Sequence, residues 1–248
     1  MKSESGHMKV IGNFRKLIDW VSADENYKPS NEPLKPPTME TQHASALAAV
    51  EAVAEKHGPY KAALTERKVA FDSLSKKARQ IRNVAKASGA SVATLANLDT
   101  PLTKLLGERK SEKIKDDPNP PANAPGQPEN GGGKQHSASQ MSFDNRIGNF
   151  ATLLSIVGTI AAYNPNEADL KLPALQAFAD DLTAKNNAVN TAFVPLSQAR
   201  ALRDQLLYQG ENSVVNVAQR VKAYVKGALG PDSHLFQQIK GLRFANKA

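Results

Sequence analysis

The sequence contains no cysteine, so it can hold neither a disulfide framework nor a thiolate metal site, and it has no thiol nucleophile. Aromatic residues are scarce at 6%, with a single tryptophan, Trp20. No run of 18 apolar residues occurs, which excludes a membrane span of ordinary helical length. Alternating β-branched runs bounded by turn residues are missing, so no strands are expected. The five histidines, His7, His43, His57, His136 and His234, form neither HExxH nor another ligand spacing. Gly131–Gly133 before Lys134 lacks the strand and helix of a phosphate loop, and the adjacent acids Asp116-Asp117 and Asp180-Asp181 do not converge as a general acid/base pair. No catalytic residue, cofactor site or metal site is expected, and the chain reads as a non-enzyme.

What is present is a repeat. Residues 11–37 and 147–173 share 11 identities in 27 positions at a constant offset of 136. The identical residues Phe14/Phe150, Leu17/Leu153 and Val21/Val157 recur at helical spacing and make one apolar stripe per copy. Tyr27/Tyr163, Pro29/Pro165, Leu34/Leu170 and Pro37/Pro173 mark an extended crossing that a helix does not continue through. Beyond the crossing the match continues with slips. Tyr60, Arg67 and Leu74 align with Phe193, Arg200 and Leu207 at offset 133, and Ala78, Ile81, Arg82 and Lys86 with Ala218, Val221, Lys222 and Lys226 at offset 140. An insertion around Gln209–Asn212 accounts for the second slip. A period this long denotes a duplicated bundle rather than a solenoid unit.

In chain order, a first helix is expected over 12–24, with Trp20 flanking its apolar face. A second begins at Thr38 as N-cap and is interrupted at His57-Gly58-Pro59. A third carries Tyr60, Leu64, Arg67, Phe71, Leu74, Ala78, Ile81 and Ala85 at the four–three spacing of an antiparallel seam and ends at Gly89. Residues 91–106 should form short helices interrupted at Asp99-Thr100-Pro101. The second copy repeats the plan from Ser142, with a kink at Pro195 and a terminal helix after Pro231-Asp232-Ser233. Five prolines fall in 118–128, and a triple glycine follows, the composition of a disordered linker. The expected layout is an expression leader over 1–8, a helical repeat over 9–106, a linker over 107–141 and a second repeat over 142–248. The fold class is all-α: two related helical bundles joined by the linker, or one pseudo-twofold bundle made from both. The N-terminus has no signal-peptide core, so a cytoplasmic protein is the default expectation.

The pattern YNPNE with Leu170-Lys171, the segment with Arg200, Arg203 and Leu206–Tyr208, and VKAYVKGALGPDS with IKGLRF across 221–244 resemble a family of uncharacterised, duplicated helical proteins widespread in Bacteroidota. The resemblance covers nearly the whole chain apart from leader and linker. It implies the same all-helical fold and no assigned activity.

Charge is unevenly spread. The net charge is +8; residues 61–115 carry 13 Lys/Arg against 5 Asp/Glu, and residues 200–248 carry 8 against 3. Arg79, Arg82 and Lys86 share one helical face, and Lys222 and Lys226 repeat part of it. This run is either a solvated helix face or a contact surface for nucleic acid or another polyanion, with little base selectivity and a steep salt dependence. Arg67 and Arg200, on the apolar stripes, are read as a buried ion pair that sets helix register or as an anion site present once per copy. The leading functional expectation is a structural or interaction protein with a protein partner, and the alternative is a polyanion binder.

Overall fold

The computed structural model describes residues 5–107 and 141–244; most of the expected linker, and residues 1–4 of the expected leader, lie outside them. Among the described residues the regular structure is helical, without strands. The α-helices are α1 (Ser5–Ala23), α2 (Pro36–Asp72), α3 (Leu74–Ala87), α4 (Val92–Leu106), α5 (Phe143–Gly158), α6 (Leu172–Tyr208), α7 (Val214–Ala228) and α8 (His234–Ile239).

Local chemistry sets most helix ends. Ser91, Ser142, Ser213 and Ser233 each accept a hydrogen bond from the backbone N–H three residues on, which satisfies an amide that the first turn leaves open. Gly89 and Gly107 stop α3 and α4 at φ +82° and +69°, where a side chain would be strained. At Gly107 a Cβ would also lie 2.8 Å from Met141 Sδ, so the chain leaves and re-enters the described fold at adjoining points.

Several boundaries differ from those expected. Helix α1 starts at Ser5 and includes residues assigned to the leader; His7 is buried there, with Nδ1 2.8 Å from the Tyr208 hydroxyl. Helix α2 begins at Pro36, where a missing N–H costs nothing, and Thr38 instead donates to Glu32 Oε1 at 3.1 Å. It then passes unbroken through Pro59. Pro59 is exposed, so the carbonyl released by its missing N–H can be solvated. The break comes at Ser73, after Asp72, both residue types that compete with helical hydrogen bonding. Residues 92–106 form one helix with Pro101 inside. Trp20 is 39% exposed, its ring edge-on to His234.

The helices gather into two compact units: Met1–Ala63 with Asn190–Ala248, and Leu64–Val189. These units cut across the sequence repeats. In the first unit, Phe14, Leu17, Ile18 and Val21 of α1 pack with Met39, Ala46 and Val50 of α2, Leu207 of α6, Val214, Val217, Val221 and Val225 of α7, and Leu235 and Ile239 of α8. In the second, Phe150, Leu153, Leu154 and Val157 of α5 pack with Phe71 of α2, Leu74, Ala78, Ile81 and Ala85 of α3, Leu98 and Leu105 of α4, and Leu175 and Leu182 of α6. Each opening helix is therefore covered by the closing helices of the other copy. The long helices α2 and α6 each contribute residues to both units.

The two crossings are held alike. Tyr27 donates its hydroxyl to the Leu34 carbonyl at 2.7 Å, and Tyr163 to the Leu170 carbonyl at 3.0 Å. Burial pushes both phenols up, Tyr163 to about 12, with Asp169 and Glu167 adding to the shift. A raised acid pKa means that the unfolded chain ionises first. The contribution of Tyr163 is thus present below pH 10 and is lost as pH rises toward 12. Tyr163→Phe is expected to cost about 1 kcal/mol at neutral pH, from the lost hydrogen bond, and to flatten the fall in stability between pH 10 and 12. Urea titrations followed by circular dichroism across that range check both effects.

Candidate functional site

The most elaborate polar arrangement lies in the second unit and is built around Arg67. Arg67 falls on the core-facing seam of α2, so its guanidinium is drawn in among apolar side chains. Its Nη1 donates to Asn186 Oδ1 of α6 at 3.0 Å, and Asn186, 4% exposed, passes the interaction on by donating Nδ2 to Asp144 Oδ1 of α5 at 2.7 Å. The guanidinium carbon sits 3.9 Å from the centroid of the Phe143 ring. Phe143 meets Phe71 edge to face at 4.8 Å, and Arg146 lies over Phe71 at 5.3 Å, donating Nη2 to the Phe71 carbonyl at 3.4 Å. The Nε atoms of Arg67 and Arg146 are buried without a hydrogen-bond partner, and the ring faces supply the contact an acceptor would otherwise give. Burial lowers the Arg146 pKa, and the nearby Asp72 carboxylate opposes that shift. An amide thus stands between guanidinium and carboxylate, where the sequence suggested a direct ion pair.

Arg200 is half-buried on α6, in the first unit. Helices α2 and α6 are both 37 residues long and both contain an internal proline, Pro59 and Pro195, at offset 136. In that register the counterpart of Arg67 is Arg203, not Arg200. A slip of three residues inside a helix would rotate the apolar stripe by about 300°, and the extra residues instead fall between α6 and α7. Arg203 is 6% exposed and donates Nε to the neighbouring Asp204 at 2.9 Å.

The five basic candidates divide between the units. Arg79, Arg82 and Lys86 lie on α3 in the second, Lys222 and Lys226 on α7 in the first. Arg82 is engaged by Asp99 of α4 through two contacts, Nε at 2.9 Å and Nη2 at 3.2 Å, which raise its pKa. Lys222 donates to the Lys240 carbonyl at 3.1 Å and to the Leu242 carbonyl, closing the end of α8, and burial lowers its pKa. Both ties pin a closing helix to its neighbour. Arg79, Lys86 and Lys226 are exposed.

Two further surfaces stand out. A groove of 390 Å³ in the second unit is lined by Ala151, Leu154, Ser155, Leu172, Pro173 and Gln176. At the matching positions of the first unit, Arg15 pairs with Asp19 at 2.5 Å and Glu40 at 3.6 Å. In the first unit, α6 presents Phe193 at 44%, Val194 at 53% and Leu202 at 50% exposure.

Sequence reasoning missed Asn186, Asp144, Phe143 and Arg146. One signal was available: Asn186 interrupts the seam Leu182, Val189, Phe193 at core spacing, and a buried amide requires partners. Among the described residues, no group of three or more His, Asp or Glu side chains is placed to hold a metal ion, and no helix is long and apolar enough to cross a membrane. No protein-family model, curated protein or solved structure matches the chain.

Proposed function

We propose that the chain is a non-enzymatic helical-bundle protein that docks a protein partner on the outer face of α6 in its first unit. One observation carries this reading. Val194 and Leu202 are about half exposed, and residues 190–199 carry no charge in a chain that is 23% charged. Val194, Ala201 and Leu202 fall within about 100° of one another around the helix, with the neutral Gln198 and Gln205 between them. Large apolar side chains framed by neutral polar ones suit a partner helix or a shallow protein groove.

The test places a photo-crosslinking amino acid at Gln198 in the full chain and crosslinks it in the cell of origin. One protein species is expected in the adduct, and it should be lost when Val194→Glu and Leu202→Glu are introduced together. Both positions are solvent-exposed, so the double variant should keep its melting temperature within a few degrees. An adduct profile identical with and without the double substitution would refute the reading.

The polyanion alternative is weakened by the internal engagement of Arg82 and Lys222. Titration with labelled duplex and single-stranded DNA and RNA, at low and physiological salt, is expected to show no micromolar binding. Salt-sensitive micromolar binding that Arg79→Gln, Lys86→Gln and Lys226→Gln abolish would put the polyanion reading first.

A further inference from the structure

The outer face of α6 carries a pattern that is its own complement. Between Thr191 and Gln205, about 21 Å of helix, the side chains within about 60° of Gln198 are Thr191, Val194, Pro195, Ala201, Leu202 and Gln205. None is charged, all but the half-buried Pro195 are exposed, and all lie in the first unit. The charged residues of this part of α6, Lys185, Arg200, Arg203 and Asp204, point more than about 100° away from Gln198. Val194 and Ala201 lie to one side of Gln198, one toward each end of the helix, and Pro195 and Leu202 lie likewise to the other side. A two-fold axis through Gln198 and perpendicular to α6 therefore sets Val194 against Ala201 of a second copy, Leu202 against Pro195, and Thr191 against Gln205. Gln198 meets Gln198, and its amide can both donate and accept. A patch that matches itself under such a rotation is what a symmetric pair requires.

Building on the docking face proposed above, we infer that its partner is a second copy of this chain, laid antiparallel on α6 about a two-fold axis through Gln198. Charge favours the same occupant. Two copies of a chain with net charge +8 repel one another, and an uncharged contact adds no like-charge pair to that repulsion. The matching face of α2 cannot pair in this way. At offset 136, Glu55 and Glu66 stand where α6 has Thr191 and Leu202. The same axis on α2 would press Glu55 on Val69 and Glu66 on Pro59, carboxylates against apolar groups. The self-matching face is thus a property of α6 and not of the repeat.

The test is sedimentation equilibrium of the purified full chain at physiological salt. About four turns of helix make a small interface, so association is weak and the range runs from about 1 to about 300 µM. The mean mass is expected to rise from that of one chain toward that of two. Gln198→Glu and Gln198→Lys each place like charges at the axis, and each should weaken self-association at least about tenfold. Mixed in equal amounts, the two variants pair Glu with Lys, and association should return to within roughly threefold of the original. Gln198 is exposed, so both variants should keep the helical signal and melting temperature of the original chain. Association that neither variant weakens, or that the mixture does not restore, would overturn the inference. A chain that stays monomeric would also overturn it, and the photo-crosslink at Gln198 in the cell of origin then separates two cases. An adduct with a different protein, lost with Val194→Glu and Leu202→Glu, leaves the docking face standing with another partner. No adduct sensitive to those substitutions overturns the docking face as well.

Discussion

Cleavage of the folded chain within residues 108–140 is expected to leave one 1:1 complex, and the two pieces prepared separately are expected to lack stable structure as monomers. In the first unit, Phe14, Leu17, Ile18 and Val21 are at most 1% exposed, and the residues that bury them on α6, α7 and α8 all come from the second piece. At about 1.5–3 kcal/mol for each large apolar side chain, exposing these four side chains costs on the order of 10 kcal/mol. That is comparable to the whole stability of a typical domain. The second unit makes the same demand in reverse, since Phe150, Leu153 and Val157 are fully buried against α3 and α4 of the first piece as well as α6 of their own. Size-exclusion chromatography with light scattering and far-ultraviolet circular dichroism check the expectation. Mixing the separate pieces should restore the helical signal of the intact chain. Two pieces that stay monomeric and keep their helicity apart would mean that each copy folds alone, contrary to the composition of the cores.

Phe150→Ala is expected to destabilise the second unit by about 3–5 kcal/mol, the upper end of the range for a single core truncation. Phe150 is fully buried, and its ring meets Phe178 edge to face at 5.6 Å, so the substitution loses apolar burial, an aromatic contact and packing around the void. Phe14→Ala is expected to cost about as much in the first unit, where Phe14 is equally buried. The two cores share no residue, so each substitution should leave its own signature in amide hydrogen exchange. Protection should fall first in α3, α4 and α5 for Phe150→Ala, and in α1, α7 and α8 for Phe14→Ala. Equal loss across all helices in either variant would show that the units unfold as one.

Much of the local structure is legible in the sequence, because a helix announces itself through neighbours on the chain. The stripes Phe14/Leu17/Val21, Leu74/Ala78/Ile81 and Val214/Val217/Val221 are all buried, as their 3–4 spacing implies. Serine caps and left-handed glycines act within one turn, and Ser142, Ser233 and Gly89 stand where their chemistry puts them. Pro59 misleads, since a proline ends a helix only when the freed carbonyl is left unsatisfied, and at the exposed Pro59 that carbonyl can be solvated. The misplaced counterpart of Arg67 has a similar cause. Scattered identities can be matched across a slip of three residues, which a single uninterrupted helix does not permit.

By itself, then, the sequence determined an all-helical chain, the faces its helices bury, most of their ends and the proline-bounded crossings. Tertiary structure alone decided which face covers which, that the opening helix of each copy is completed by the other copy, and that Arg67 reaches Asp144 through Asn186. The reason is that apolar stripes of leucine, valine and alanine are chemically alike. Periodicity shows that a face must be buried, while the choice among equivalent faces depends on connection lengths and on partners for the polar groups that burial encloses.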